Sequence, residues 1–247
     1  MKKIIETTEK SLRLNQYLAL YGFCSRRLAD ELIRQGDVTI NHWVTKKPSY
    51  LVQEKDAVRI NKKLIKPTAH QPLYIVLNKP IGFVTTARDE KGRATVLDLI
   101  GKQPQRVFPV GRLDITTSGV LLLTNDGPLA EVLAHPSNEI EKVYQVTLDR
   151  PVNPEHIKAI TRGLFLKDGR VTVDSINQSQ RRNKVKISLH SGRNRVVRRI
   201  FETLGYTVEK LERINFAGIT KKGLAAGQWR FLTNYEVALL REYTKTA

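Results

Sequence analysis

The sequence predicts an α+β protein in two unequal domains. Three observations carry this. Apolar residues recur at helical spacing in two adjacent short segments near the start, and short alternating segments follow at once. Beyond an apolar-poor, proline-containing stretch at residues 62–72, a longer series of strand-like runs begins, interleaved with capped helical segments. A chain of 247 residues is long enough for one medium domain plus a small one. With 40% hydrophobic and 27% charged residues it has an ordinary globular balance, which argues against wholesale disorder.

Residues 1–10 carry no clear period and are expected to fray. From Arg13 onward, Leu14, Tyr17, Leu18 and Tyr21 share one face of a short helix that Gly22 stops. Ser25 fits as the N-cap of a second helix, with Leu28, Leu32 and Ile33 as its apolar side and Gly36 just past its end. Val38 with Ile40, and later Val58 with Ile60, alternate as in strands, so two or three small strands complete the unit by about residue 65. The expected domains are 1–66 and 73–247, with a linker at 67–72.

In the larger domain LYIVLNKP, starting at Leu73, reads as a buried strand entering a proline turn. A polar loop over 81–93 then leads to a short helix from Thr95. Residues 107–110 and 120–123 are apolar runs around the loop GRLDITTSG, closed by the turn residues Asn125, Asp126 and Gly127. A short helix over 128–134 ends at His135 and Pro136. KVYQVTL alternates Val143, Gln145 and Thr147 against Tyr144, Val146 and Leu148, a strand with Tyr144 on its apolar side. Asn153 as N-cap, Pro154 at the first turn and Gly163 past the end bracket a helix with Ile157 and Ile160 inward. Strands follow at 170–173 and 184–189.

A helix over 194–204 carries Val197, Ile200, Phe201 and Leu204 on one face. Arg199 points away from that face and Arg198 sits at its margin, able to reach sideways into a cleft, while Arg195 and Arg199 can meet phosphates. Strand-like segments at 211–219 and 228–231 precede a last helix. There Thr233 with Glu236 forms a capping box, and Leu232 with Val237 a hydrophobic staple.

Charge narrows the function classes. Forty-two Lys plus Arg against 24 Asp plus Glu leave +18, an excess that a polyanion relieves: nucleic acid first, an anionic membrane surface second. Residues 175–201 hold eight cations and no acid, and residues 1–66 have a net charge of +7. Arg13, Arg26, Arg27 and Arg34 lie on or beside the first two helices, where they either face a phosphate backbone or form a solvated helix face. No run is long and apolar enough for a membrane span, and the start lacks the apolar core of a secretory signal, so a cytoplasmic location is expected. The single cysteine, Cys24, allows no internal disulfide. The histidines (His42, His70, His135, His156 and His190) lack metal-ligand spacing, so no metal is expected.

The loop at 111–119 is the natural place to look for chemistry, because two rooted strands would hold Arg112 and Asp114 rigidly. On this stretch alone Asp114 also fits a turn aspartate, its carboxylate bonded to NH groups near Thr116. Tyr144 is open to two readings as well, core packing or the wall of a pocket.

Four pieces in this order resemble the RsuA/RluB-type ribosomal pseudouridine synthases: RLNQYLALYGFCSRRLADELIRQGDVTIN, similar to an S4 RNA-binding domain; VLNKPIG; VGRLDITTSGVLLLTNDG; and EKVYQV followed by SGRNRVVRRIFETLGY. The resemblance runs from about Arg13 to Leu240, with one departure, Val196 where the family usually has glutamine. It implies a small S4-like domain followed by a mixed, largely antiparallel sheet with flanking helices and a central cleft.

It also implies that Asp114 is the catalytic aspartate, Tyr144 lies against the target base, Arg198 is the basic partner of the aspartate, and Arg112 enters the RNA near the flipped nucleotide. RNA contacts are implied for Arg13, Ser25, Arg26, Arg27, Arg34 and Asn41 in the S4-like part, and for Arg193, Asn194, Arg195 and Arg199 beyond it. The implied partner is ribosomal RNA, large-subunit before small-subunit, or an assembling particle. No cofactor, DNA or membrane is called for, and the protein is expected to be a monomer. The rival readings are a non-catalytic RNA-binding or assembly factor, and an N-glycosidase. The latter needs an activated water, and no second carboxylate is assigned to that work.

Overall fold

The computed structural model describes residues 12–21, 24–66, 71–87, 89–181 and 183–245. These fall into two compact units, one ending at Gln71 and one starting at Pro72. The fraying expected for residues 1–10 and the helix stop at Gly22 lie outside the described residues.

The first unit packs α1 (Leu14–Leu20) and α2 (Arg26–Gln35) with the short strands β1 (Val38–Ile40), β2 (Trp43–Val44), β3 (Val58–Ile60) and β4 (Lys63–Leu64), ordered β2-β1-β3-β4. Ser25 caps α2 as expected, its hydroxyl oxygen accepting from the Leu28 NH, and Gly36 closes the helix in the left-handed region at φ 90°. The core-facing side of α2 differs from expectation. Ala29 and Ile33, four residues apart, are buried, whereas Leu28 is 44% exposed, since one residue is about 100° of helix rotation. The alternation of Val38 and Ile40 against Val58 and Ile60 holds, with Val38 opposite Ile60 and Ile40 opposite Val58. Part of the stretch 62–72 belongs to this unit: Lys63 and Leu64 pair with β3, and Ile65 is buried in its core.

The second unit contains β5 (Tyr74–Lys79), α3 (Val96–Ile100), β6 (Phe108–Pro109), β7 (Ser118–Thr124), α4 (Gly127–Ala134), β8 (Lys142–Leu148), α5 (Pro154–Arg162), β9 (Leu164–Leu166), β10 (Gly169–Val171), β11 (Ser175–Gln178), β12 (Lys184–Leu189), α6 (Val196–Thr203), β13 (Val208–Phe216), β14 (Ile219–Thr220), β15 (Trp229–Phe231) and α7 (Asn234–Lys245). Its main sheet runs β11-β12-β8-β13-β7-β5-β15. Every neighbouring pair is antiparallel except β13 with β7, so the sheet is mixed and largely antiparallel as the resemblance implied.

Strands β5 and β7 are apolar at nearly every position because both faces are covered. Val76, Val120 and Leu122 pack with α4 and α7, while Ile75, Leu77, Leu121 and Leu123 pack with α3. On the other half of the sheet, Val146, Val185, Ile187 and Leu211 meet Ile160 of α5 and Val197, Ile200 and Phe201 of α6. The capping box of Thr233 with Glu236 is present, and Asp126, expected as a turn residue, caps α4 by accepting from the Leu129 NH. The two strands expected between α5 and α6 appear as β10 and β12, and β9 and β11 add to them.

Candidate active site

Strands β6 and β7 pair, Phe108 opposite Thr124 and Pro109 opposite Leu123, and carry the loop 110–117 between them. Five consecutive carbonyls of this loop are all held. Leu113 O accepts from Thr85 Oγ1 at 2.7 Å, and Ile115 O from the Gly82 NH at 2.8 Å. Asp114 O accepts from the Thr117 NH at 3.0 Å and from Lys79 Nζ at 3.2 Å. Thr116 O accepts from Arg198 Nη2 at 3.1 Å, and Thr117 O from Lys79 Nζ at 2.9 Å. Leu113 is itself buried. With its backbone satisfied in this way, the loop holds one shape.

The Asp114 turn therefore forms through the main-chain carbonyl and not through the carboxylate. Among the described residues the half-buried carboxylate accepts no hydrogen bond and forms no ion pair. It opens on a cleft of about 400 Å³ that Arg112, Lys142, Tyr144, Arg193, Asn194, Arg195, Val196 and Arg213 also line. Asp114 is the only carboxylate among the described lining residues, set against five cations. Tyr144 is half-buried. It packs against the apolar clusters on both halves of the sheet and also lines the cleft, so both readings of it hold.

Arg198 is placed differently from expectation. It is 7% exposed and makes no ion pair with Asp114. It donates instead to Val208 O at 3.1 Å and to the carbonyl and hydroxyl of Thr116 at 3.1 and 3.2 Å, bracing the Asp114 loop from behind. Burial and the neighbouring Arg195 push its pKa down, while Asp114 and Glu202 oppose this. Helix α6 is covered on more sides than one apolar stripe allows for, which is why an arginine at the margin ends up inside.

Two buried cations are new relative to the sequence reading. Lys79, fully buried at the end of β5, donates to the carbonyls of Pro80, Asp114 and Thr117, and burial pushes its pKa down to about 8 against the pull of Asp114. Arg213 on β13 is 2% exposed and lies opposite Tyr144 in the sheet. Its Nε donates to Val120 O at 2.8 Å, its guanidinium lies over the Phe216 ring at 4.4 Å, and its Nη2 is buried without a hydrogen-bond partner among the described residues. Burial pushes its pKa down, and the Tyr144 hydroxyl opposes the shift. Lys142, held by the carbonyls of Ile140 and His190, is pushed to about 8 by burial and by Arg213. In sequence, only the position of Lys79 one residue beyond an apolar run, and of Arg213 within the strand-like segment, mark these residues.

The remaining expected contacts divide. Arg112 is exposed at the cleft, and Arg193, Asn194 and Arg195 line it, with Arg195 paired to Glu202 at 3.4 Å. Arg199 is turned inward onto Asp168 in a two-pronged pair at 2.7 and 2.9 Å, so it does not offer a free guanidinium to phosphate. In the first unit Arg13, Arg26, Arg27 and Arg34 are exposed. Asn41, by contrast, has its amide committed to the segment before β3, donating to Asp56 Oδ1 and accepting from the Ala57 NH.

Residues 73–203 match the family model described as RNA pseudouridylate synthase, and residues 12–58 match the S4 domain. The chain belongs to the RNA pseudouridylate synthase family. The synthase is 38% identical over 93% of its length to the ribosomal large subunit pseudouridine synthase B of Bacillus subtilis (strain 168), of which 95% is covered. It is equally 38% identical to the dual-specificity RNA pseudouridine synthase RluF of Escherichia coli (strain K12), covering 93% of this chain and 78% of that one. A crystal structure of a pseudouridylate synthase superposes with a TM-score of 0.65 at 29% identity, over 93% of this chain and all of the other. The synthase is thus an isomerase that carries an RNA-binding S4 domain ahead of its catalytic unit. Among the described residues no helix is long and apolar enough to cross a membrane.

Proposed function

We propose that this synthase converts a specific uridine of bacterial ribosomal RNA, in the large-subunit RNA, to pseudouridine, with Asp114 as the catalytic carboxylate. The observation that carries the assignment is the Asp114 side chain: the lone carboxylate among the described lining residues of a cationic cleft, without a hydrogen bond among those residues, on a loop whose carbonyls from Leu113 to Thr117 are all engaged. Positive charge builds at C1′ as its bond to N1 breaks, and an ionised carboxylate there stabilises it electrostatically or covalently. Uracil leaves as a delocalised anion, rotates and rejoins through C5, and the C5 proton is exchanged for one at N1. No water has to be activated, so one carboxylate suffices where glycoside hydrolysis uses two.

The target base is stacked and must first be extruded, at a cost of a few kcal/mol. Arg112, exposed at the cleft mouth, enters the space the base leaves, and the Tyr144 ring forms the wall against which the base rests. Arg198 acts by holding Thr116 and, through it, the Asp114 loop. The S4 unit, over about residues 1–66, grips the RNA through Arg13, Arg26, Arg27 and Arg34. Large-subunit RNA is favoured because the similar Bacillus protein is named for that subunit. The enzyme works as a monomer in the cytoplasm without a cofactor.

The test is a pseudouridine map of ribosomal RNA from cells with the wild-type protein, without it, and with Asp114→Asn, the variant being checked for folding and RNA binding. One site in large-subunit RNA should vanish in both altered strains. A site that vanished on deletion and survived Asp114→Asn would remove Asp114 from the chemistry and leave an assembly factor as the better reading. A lost site in small-subunit RNA would correct the target alone.

A further inference from the structure

Trp43 is 81% exposed and its neighbour Val44 60%, so β2 presents two consecutive apolar side chains to solvent. The platform beneath them is rigid. The β1–β2 turn places both Asn41 (φ 50°) and His42 (φ 75°) in the left-handed region, as a two-residue hairpin turn requires, although neither is glycine. That conformation is secured by Asn41, whose backbone NH donates to Ala57 O at 3.1 Å and whose amide bonds Asp56 Oδ1 at 2.8 Å and the Ala57 NH at 2.9 Å. Asp56 in turn accepts from the Tyr50 hydroxyl and the Gln53 NH, both at 2.9 Å. An indole fixed on so firm a base loses little conformational freedom on binding.

Exposed cations lie close to it along the chain. Lys46 and Lys47 are exposed just beyond β2. Val44 Cγ1 and Lys46 Cε stand 3.4 and 3.7 Å from where a Cβ at Gly36 would lie, at the end of α2, whose last turn carries the exposed Arg34. Residues 12–66 hold 11 Lys plus Arg and five Asp plus Glu, net +6. A protein docking on an apolar patch gains nothing from such a rim, whereas a polyanion with flat apolar faces matches both features.

We propose that Trp43 is a stacking platform for an unpaired base of the RNA, with Lys46, Lys47 and Arg34 holding the flanking phosphates. The proposal rests on the reading of this unit as an RNA binder and adds a base contact to its phosphate contacts. Stacking on an aromatic ring is sequence-tolerant, since every base has a π face. Trp43 therefore strengthens the grip on a single-stranded or bulged segment without selecting its sequence.

The full chain with Trp229→Phe leaves Trp43 as its only tryptophan, because the sequence has two. A transcript of large-subunit ribosomal RNA should quench its emission in step with binding measured separately by filter retention. Trp43→Ala and Trp43→Leu should each weaken retention by about 5- to 150-fold, equivalent to about 1–3 kcal/mol, with unchanged melting because the side chain is solvent-facing. Trp43→Phe should recover most of the loss. RNA retention without an emission change, or a Trp43→Leu variant that binds like wild type, overturns the stacking contact and leaves RNA binding by the unit standing. Absence of RNA retention altogether overturns both. Emission that varies with protein concentration in the absence of RNA assigns the patch to a second copy of the chain and overturns the proposal.

Discussion

Replacing Lys79 with methionine separates the geometry of the site from the stability of the fold. The substitution removes an ammonium that donates to three carbonyls at 2.9, 3.2 and 2.9 Å. Asp114 O keeps the Thr117 NH, so the carbonyls of Pro80 and Thr117 are the ones that lose a donor, at about 1–3 kcal/mol each if left buried. Against this, burial pushes the lysine from its ordinary 10.5 down to about 8, which corresponds to about 3 kcal/mol against the charged form. The two contributions oppose each other, and the net loss of folding free energy should lie between about −1 and 3 kcal/mol. Activity has no such compensation. The loop that carries Asp114 loses its central anchor, and displacement of a reacting group by about 1 Å costs on the order of 100-fold in rate. Single-turnover release of tritium from RNA labelled at uridine C5 reads the rate, and urea unfolding reads the stability. Lys79→Met should lower the rate by about 100-fold or more in a folded protein. A folded variant whose rate stays within a few-fold of wild type would refute the claim that the ammonium positions the aspartate.

The same lysines make stability depend on pH. Lys79 and Lys142 are both pushed to about 8 in the folded protein from 10.5, so between these values the unfolded chain holds more protons and folding stability should rise with pH. Urea midpoints across that window should increase, and the increase should shrink in Lys79→Met; a flat or falling profile contradicts the depressed lysines. Arg213, opposite Tyr144 and without a carboxylate partner among the described residues, should act through the phenol oxygen. Arg213→Lys and Tyr144→Phe should each lower kcat, and the double variant should be no worse than the poorer single one, a coupling of about 0.5–3 kcal/mol; additive losses would leave Arg213 a purely structural residue.

What the sequence discloses follows from how local each determinant is. Caps at Ser25, Asn153 and Thr233 and the alternation of residues 184–189 depend on neighbours a few positions away, and the structure reproduces them. Strand β11 reads Ser-Ile-Asn-Gln and is only half covered, so its pattern is too short and polar to register. The hairpin β9–β10 carries Phe165 at 76% exposure, contrary to the expected burial of a strand phenylalanine. The GRLD loop could be singled out as a loop between rooted strands, but the state of Asp114 within it could not. The turn closes on the main-chain carbonyl of Asp114, and the loop is braced by Lys79 and Arg198, 35 residues before it and 84 after, which no local pattern reveals. Arg213 was missed for the same reason, since a charged residue within an alternating segment is normally on the wet face.

The parallel pairing of β13 with β7 is short, Glu212 with Ser118 and Arg213 with Gly119. A Cβ at Gly119 would sit 2.1 Å from Arg213 O, so the two backbones meet where no side chain fits between them. Mechanically this is a rivet joining two plates, one bearing the aspartate and the other the tyrosine. The spacing across the cleft is thereby set by main chain against main chain. Changes in outer loops and helices should therefore leave the gauge of the cleft constant.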